Sequence, residues 1–189
     1  NEILQPEHSF GLHNILNASR GKLRGTINGL DTEVFNPETD KSIKTNYSIA
    51  TLRNKKHNKV ALQKSMALDT EADVPVIGMV TRLVTHKGLD LVKFVFDSIV
   101  SKDVQVVILG SGEWEFETFF HAMAEKYPDK VGLKLGFNPQ LAHRIYAGAD
   151  IFLMPSKSEP CGLAQLVSLR YGTIPIVRET GGLNDTVTD

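Results

Sequence analysis

The sequence predicts an α/β fold, a Rossmann-like parallel sheet with helices on both faces. From residue 74 onward, short apolar runs alternate with stretches that have helical spacing, and glycine or polar residues separate them. Such an alternation forms βαβ units, which place their strands parallel. The runs are continuously apolar, as expected for strands covered on both faces of a sheet.

Length and composition exclude several classes of protein. The 189 residues, 41% hydrophobic and 23% charged, suit a soluble globular protein of about one domain. A net charge of −1 gives no basic face for nucleic acid, and no apolar run approaches the ~20 residues of a membrane span. A single cysteine allows neither an internal disulfide nor a cysteine-ligated metal site, so we expect a cytoplasmic protein.

Residues 1–74 form a polar, loop-rich segment that leads into the regular region. A strand is expected at 23–27, followed by a turn at Asn28-Gly29. An amphipathic helix is predicted from 54 to 68 by the spacing of its apolar side chains, which are Val60, Leu62, Met66 and Leu68.

Residues 75–189 are predicted to form the Rossmann-like domain. Its strands are expected at 76–80, 105–109, 132–137, 151–154 and 174–177. Its helices are expected at 89–100, 113–127, 139–147 and 162–171. The chain starts without Met and stops within the segment after the last predicted strand, so we expect a domain truncated at both ends in a piece of a longer protein.

The segment Pro-Ser-Lys-Ser-Glu-Pro-Cys-Gly-Leu at 155–163 is the strongest candidate site. It follows a strand, and ligands of open α/β sheets bind outside the carboxyl ends of the strands. Glu159 lies between an apolar strand and an apolar helix, where a carboxylate must find hydrogen-bond donors. The N–H groups at the start of that helix, which we expect at Gly162, favour an anion such as a phosphate.

Other loops on the same edge carry complementary groups. Arg82 and Lys87 follow the first strand and Phe137 ends the third. Two cations, a ring and a carboxylate suit a nucleotide-diphosphate sugar. Solvated charge explains the cations equally simply, and a ring at a strand end more often belongs to the core than to a base-stacking site. Gly110-Ser111-Gly112 lacks a third glycine, so a tight turn explains it as well as a phosphate loop does.

Cysteine and histidine give weaker signals. Cys161 is more readily explained as a small buried residue than as a nucleophile, because no base stands beside it in the sequence. His86 and His143 lack the spacing of metal ligands, and no metal site is expected.

Several motifs in order and spacing resemble bacterial glycogen synthases and plant starch synthases. They are the run at 81–91 from Thr-Arg-Leu to Leu-Asp-Leu, Glu-Pro-Cys-Gly-Leu at 159–163, Arg-Tyr-Gly-Thr-Ile-Pro at 170–175, Thr-Gly-Gly-Leu at 180–183 and Asn-Gly-Leu-Asp at 28–31. The resemblance extends from about residue 23 to the end of the chain.

The resemblance implies the C-terminal half of a GT-B glycosyltransferase, whose active site lies between two Rossmann-like domains. Such enzymes transfer glucose from ADP-glucose to the non-reducing end of an α-1,4-glucan, with retention and without a metal or other cofactor. The implied partners are ADP-glucose, the glucan and an N-terminal domain, with no nucleic acid or membrane, and a plant enzyme would be plastidial. We expect the 189-residue chain alone to be inactive.

The resemblance also assigns roles to residues. Arg82 and Lys87 would hold the diphosphate and stabilise the leaving ADP, and Glu159 would bind glucose; these three form the implied catalytic set. Gly136 and Phe137 would lie at the adenine. The implied contacts to glucose and phosphate through backbone N–H groups come from Cys161, Gly162, Leu163 and Ala164.

Some positions depart from the family pattern and two alternatives stay open. Lys157-Ser158 stands where many members have arginine and an aromatic residue, and Val167 stands where related retaining transferases carry a second glutamate. The first alternative is the donor domain of another retaining GT-B enzyme that uses a UDP-sugar. The second is a catalytically silent module that binds a nucleotide or carbohydrate.

Overall fold

The structure is a computed structural model and describes residues 2–7 and 9–188. The first residue of the predicted segment 1–74 and the last residue of the predicted domain 75–189 therefore lie outside the described residues. The described chain begins with a 3-10 turn at Glu2–Leu4, helix α1 at His13–Ala18 and a second 3-10 turn at Arg20–Lys22.

The strand expected at 23–27 is wrong. These residues have no regular structure, Ile27 is 50% exposed, and in the described chain no strand of the sheet pairs with them. The turn expected at Asn28-Gly29 is also wrong, because the chain turns at 32–34. There the Asp31 carboxylate accepts hydrogen bonds from the N–H groups of Glu33 and Val34, both at 3.0 Å, and so stabilises the turn.

The helix expected at 54–68 is present as α2, Lys55–Ser65, preceded by a 3-10 turn at Ile49–Asn54. Leu62 is fully buried as predicted, but polar side chains share the buried face. Asn58 exchanges two hydrogen bonds with the backbone of Thr45, at 2.9 and 2.8 Å. Lys59 pairs with Asp150 at 2.8 Å. Asn58 and Lys59 on the buried face of the helix therefore each have a polar partner.

The predicted parallel sheet is confirmed, with strand order β3-β2-β1-β4-β5. The strands are β1 Val76–Val80, β2 Gln105–Gly110, β3 Val131–Leu135, β4 Ile151–Met154 and β5 Ile174–Val177. The helices between and after them are α3 Leu89–Val100, α4 Trp114–Lys126, α5 Pro139–Gly148, α6 Ala164–Arg170 and α7 Gly181–Thr186. The order reverses between β1 and β4, which makes that position the switch point where ligands of this architecture bind.

Apolar side chains cover both faces of the sheet, as the continuous strands predicted. One cluster packs α3 and α4 against it through Phe96 and Phe120, and the other packs α2 and α5 through Leu62 and Ile145. All six residues of β2 are buried.

Two predicted boundaries in the sheet domain were wrong by two residues because of glycine. Strand β3 ends at Leu135 rather than 137, because Gly136 has a φ of +109° and turns the chain out of the sheet. Helix α6 begins at Ala164 rather than 162, because Gly162 has a φ of +71°. Both conformations are ones that glycine adopts readily.

A buried carboxylate connects the N-terminal segment to the sheet domain. Asp40 Oδ2 lies 2.6 Å from the Tyr171 hydroxyl and 2.7 Å from His143 Nδ1. The Tyr47 hydroxyl donates to the Tyr171 carbonyl at 2.8 Å. Burial by itself raises the pKa of Asp40, but hydrogen bonds from Tyr171, from the Ser42 N–H and from His143 hold that pKa below its usual value.

We predict that Asp40→Asn lowers the free energy of unfolding at pH 7 by about 1.5–3 kcal/mol, because a charged acceptor of buried hydrogen bonds is lost. The folded-state pKa of Asp40 is depressed, so this contribution is present above its unfolded pKa of about 3.9 and is lost as the pH falls through the lower folded value. The stabilities of the two proteins in urea titrations should therefore begin to converge as the pH falls below about 4, and should meet only below the folded-state pKa.

The control for this prediction is Asp31→Asn, since Asp31 accepts its hydrogen bonds in an exposed turn and asparagine accepts them as well. It should stay within about 0.5 kcal/mol of the wild type. Equal stability of Asp40→Asn and wild type at pH 7 would contradict the role of the buried carboxylate.

Candidate active site

A cleft of about 200 Å³ opens at the carboxyl ends of β1 and β4, at the switch point of the sheet. Residues of both strands and of the loops that follow them line it. Six of the predicted site residues are among them, namely Arg82, Lys87, Glu159, Gly162, Leu163 and Ala164. The fold thus brings together groups up to about 80 positions apart in the sequence.

The loop after β1 is braced by the loop after β2. The Leu83 N–H donates to the Ser111 carbonyl at 2.9 Å, and the Glu113 N–H donates to the Leu83 carbonyl at 2.7 Å. A Cβ at Gly112 would lie 2.3 Å from the Leu83 oxygen. The Glu113 carboxylate accepts from the Thr85 N–H at 3.2 Å and hydroxyl at 2.8 Å. Close backbone packing therefore explains the glycine turn after β2.

The loop after β4 braces the other side of the β1 loop. Gly88 has a φ of +72°, and a Cβ there would lie 2.0 Å from the Pro155 carbonyl oxygen. The Lys157 N–H donates to the His86 carbonyl at 2.9 Å, and Lys157 Nζ pairs with Asp90 at 2.6 Å. The two loops that carry the candidate charges are thereby fixed to each other.

Lys87 and Glu159 form an ion pair across the cleft, in which Lys87 Nζ donates to Glu159 Oε2. Their side chains are only 15% and 11% exposed. The Ser156 hydroxyl donates to the same Oε2 at 3.2 Å. Glu159 thus finds the donors that its position requires. Arg82 is exposed, and no carboxylate within the described chain lies within ion-pair distance of its guanidinium.

Helix α7 and the loop before it support the Glu159 segment from behind. The Gly182 N–H donates to the Glu159 carbonyl at 2.9 Å, and a Cβ on Gly182 would lie 2.4 Å from Cys161 Cα. Cys161 is half-buried, and its Sγ accepts a hydrogen bond from the Asn28 N–H at 3.2 Å. The sulfur therefore faces the N-terminal segment and is not among the groups that line the cleft.

Gly136 and Phe137 lie at the end of β3, beyond the lining of the cleft. The Gly136 N–H donates to the Gly110 carbonyl at 2.9 Å and holds this corner against β2. The Phe137 ring is 95% exposed, so the alternative that it belongs to the core is wrong.

Two polar residues near the cleft were not predicted. Ser156 is 1% exposed and donates to Glu159, and Gln165 is fully buried behind the loop at 161–162. Ser156 belongs to the Pro-Ser-Lys-Ser-Glu run, but serine is so common in loops that its presence there does not indicate a role in a site. Gln165 is the one polar position among Leu163 to Val167, and a polar residue inside an apolar run was the available signal.

Other kinds of site find no support in the part of the chain that the structure describes. There, no three His, Cys, Asp or Glu side chains are placed to hold one metal ion. Each described helix is too short or too polar to cross a bilayer.

The family described as "Glycosyl transferases group 1" matches residues 62–189. The glycogen synthase of Anoxybacillus flavithermus is 55% identical over 186 residues, which is 98% of this chain and 38% of that protein. The chain thus spans about 38% of the length of that curated relative. The catalytic domain of starch synthase IV from Arabidopsis thaliana, solved with ADP and acarbose, superposes with a TM-score of 0.94 at 40% identity, over 100% of this chain and 39% of that one.

The C-terminal domain of a group 1 glycosyl transferase from Francisella tularensis shares the fold. It superposes with a TM-score of 0.59 at 16% identity, over 85% of this chain and 76% of that one. Together these similarities confirm the predicted resemblance to glycogen and starch synthases and the predicted fold, that of a GT-B C-terminal domain.

We predict that Lys87→Met and Glu159→Gln each lower the free energy of unfolding by about 1–3 kcal/mol, since each leaves a largely buried partner without its counter-charge. The double variant should lose less than the sum of the two single losses, with a coupling of about 1–2 kcal/mol. Urea unfolding of the wild type, the two single variants and the double variant measures this coupling energy.

The matched control is the exposed pair of Lys93 and Glu115, whose side chains are 40% and 65% exposed at an Nζ–Oε1 distance of 2.7 Å. Its coupling should stay below about 1 kcal/mol. Additive losses for Lys87 and Glu159 would show that their contact contributes nothing of its own.

Proposed function

Because the chain belongs to the glycosyl transferases group 1 family, we propose that it is the donor-binding domain of a retaining glucosyltransferase that moves glucose from ADP-glucose to an α-1,4-glucan. Residues 75–189 are the proposed nucleotide-sugar-binding part, and 1–74 lead into it. The observation that carries the proposal is the Lys87–Glu159 pair at the switch point, because it places a cation for phosphate beside a carboxylate for sugar hydroxyls.

In the proposed mechanism, Lys87 and Arg82 hold the donor diphosphate. Negative charge grows on the leaving phosphate as the glycosidic bond breaks, so fixed cations stabilise the transition state more than the ground state. The loops on both sides fix the backbone of the Lys87 loop. Arg82 is exposed at the rim and can turn towards the ligand.

Glu159 is the proposed glucose-binding residue. Its Oε2 already accepts from Lys87 and Ser156, and its other oxygen, Oε1, has no hydrogen-bond donor in the described chain and is available for sugar hydroxyls. The backbone N–H groups from Cys161 to Ala164 complete this side of the site, where three of these four residues line the cleft. Glu159 orients the sugar and need not act as a general base, since the leaving phosphate can itself take the acceptor proton as the acceptor oxygen bonds to the anomeric carbon.

Phe137 is proposed to stack on the adenine, with Gly136 beside it. The exposure of the ring supports this role, because it leaves a face open to a base at the same edge of the sheet. The glucan and an N-terminal domain are the remaining proposed partners, and a cytoplasmic location is part of the proposal. Support for the ligand class comes from the starch synthase relative, which was solved with ADP and acarbose.

We predict that the chain binds ADP weakly and extends no glucan. The cleft of about 200 Å³ is smaller than the ~300–1,000 Å³ of complete ligand pockets, so ADP would be only partly enclosed. Calorimetric titration with ADP, UDP and NAD tests the assignment. Preference for UDP would favour a UDP-sugar enzyme, binding of none would contradict the proposal, and glucan extension would contradict the expected inactivity.

A second prediction separates Glu159 from Cys161 in a full-length enzyme that carries this chain. Glu159→Gln should lower turnover about 10²–10³-fold, because charge-assisted hydrogen bonds to the sugar are weakened. Cys161→Ser should keep most activity, since a serine oxygen can accept from the Asn28 N–H as the sulfur does. An inactive Cys161→Ser beside a normal Glu159→Gln would reverse these roles.

A further inference from the structure

Gln165 lies behind the cleft and holds the loop that forms its wall. The residue is 0% exposed, and its Nε2 lies 3.0 Å from the Cys161 carbonyl oxygen and 3.2 Å from that of Gly162. Nε2 also lies 3.0 Å from the Thr186 hydroxyl of α7. One side-chain amide therefore connects two successive peptide carbonyls of the loop to the helix behind it.

The orientation of these carbonyls decides where the next N–H groups point. In a trans peptide, the carbonyl of one residue and the N–H of the next point in opposite directions. The Cys161 and Gly162 carbonyls point inward to Gln165, so the N–H groups of Gly162 and Leu163 point away from it. Gly162 and Leu163 line the same cleft as Lys87 and Glu159, so a ligand bound in the cleft would lie next to these two peptides.

The amide of Gln165 has only one workable orientation. A flipped amide would place its oxygen against two carbonyl oxygens and lose both hydrogen bonds. In the observed orientation, Gln165 Oε1 is buried without a hydrogen-bond partner in the described chain. A Cβ on Gly162 would lie 2.4 Å from this oxygen, so the close approach requires glycine. A buried acceptor without a partner costs stability, so the contacts that the Nε2 group makes must offset this cost.

We infer that Gln165 is a positioning residue, which keeps the N–H groups of Gly162 and Leu163 aimed at an oxygen of the bound diphosphate. The inference rests on the proposed function for the identity of the ligand. Two aligned N–H donors complement the charge of Lys87 from the other wall of the cleft, and their alignment before the ligand arrives avoids reorganisation when it binds. Without the Gln165 amide, the two peptides are free to rotate and present carbonyl oxygens to the phosphate.

The test compares Gln165→Met with Gln63→Met, two substitutions of similar shape at two buried glutamines. Gln63 is also 0% exposed, its Nε2 donates to the Glu71 carbonyl at 2.7 Å and to Gln105 Oε1 at 2.8 Å, and its Oε1 lacks a partner in the described chain. It lies on α2 and is not among the residues of the cleft. Both variants should unfold at a lower temperature than the wild type. Gln63→Met therefore controls for the loss of stability that Gln165→Met causes.

Only Gln165→Met should affect the diphosphate. We expect calorimetry to show about a tenfold loss of ADP affinity, the scale of one hydrogen bond to a charged group, with less than about a threefold change for AMP, which lacks the second phosphate. Equal losses for ADP and AMP, a similar ADP loss in Gln63→Met, or unchanged ADP binding in Gln165→Met would each overturn the inference.

A second measurement needs neither a stable variant nor ADP binding. Inorganic pyrophosphate added to the ¹⁵N-labelled wild-type chain should shift the amide resonances of Gly162 and Leu163 more than that of Val167, whose N–H donates to the Leu163 carbonyl at 2.9 Å. Absence of this shift overturns the inference even if ADP binds. The shift without ADP binding would instead support the inference and contradict the proposed nucleotide.

Discussion

The ion pair between Lys87 and Glu159 is the contact on which the rest of the site depends. It joins the loop after β1 to the loop after β4, and both side chains are nearly buried. If a ligand draws Lys87 away from Glu159, it must also supply hydrogen-bond donors to Glu159, because an uncompensated buried carboxylate costs several kcal/mol. A diphosphate without a P–OH group offers Glu159 no hydrogen-bond donor, whereas a molecule with both phosphate and hydroxyl groups offers a partner to Lys87 and to Glu159. Under the proposed function, the pair would therefore favour a phosphorylated sugar over a simple anion.

Backbone contacts at glycine hold the loops of the candidate site against one another. At Gly88, Gly112 and Gly182, a Cβ would lie within 2.4 Å of the backbone of a neighbouring loop. Because β1 is the central strand, the loop after it is held by the loop after β2 on one side and by the loop after β4 on the other. Helix α7 supports the loop after β4 from behind. The candidate charges are thus fixed by neighbouring backbone, which keeps the reorganisation on ligand binding small.

The sequence was sufficient to predict secondary-structure elements that a local pattern of apolar residues indicates. It did not predict features that depend on contacts with residues distant in the chain. The five strands of the domain were recognised because continuous apolar runs report burial on both faces. The run at 23–27, Leu-Arg-Gly-Thr-Ile, is apolar only at its two ends and has no partner strand in the described chain, and local pattern carries no information about pairing. The same reason applies to Gln165, whose role depends on the carbonyl orientations at 161 and 162, which no spacing rule reports. Glu159 was predicted because a carboxylate between two apolar elements must be compensated wherever the chain folds.

The N-terminal segment is bound to the domain by polar contacts that also reach the site. Burial lowers the pKa of Lys55 to about 7, and its Nζ donates to the carbonyls of Tyr146 and Ala147 and to the Thr173 hydroxyl, at 3.1, 2.9 and 2.7 Å. Three acceptors match the three N–H groups of an ammonium, and two of them belong to the last turn of α5, where the helix dipole favours a cation. Lys55 thus fixes α2 to the sheet domain.

A second contact joins the N-terminal segment to the candidate site. The Asn28 N–H donates to Cys161 Sγ, in the same loop whose Cys161 carbonyl lies beside Gln165 Nε2. The position of the N-terminal segment therefore bears on the geometry of the loop at the cleft.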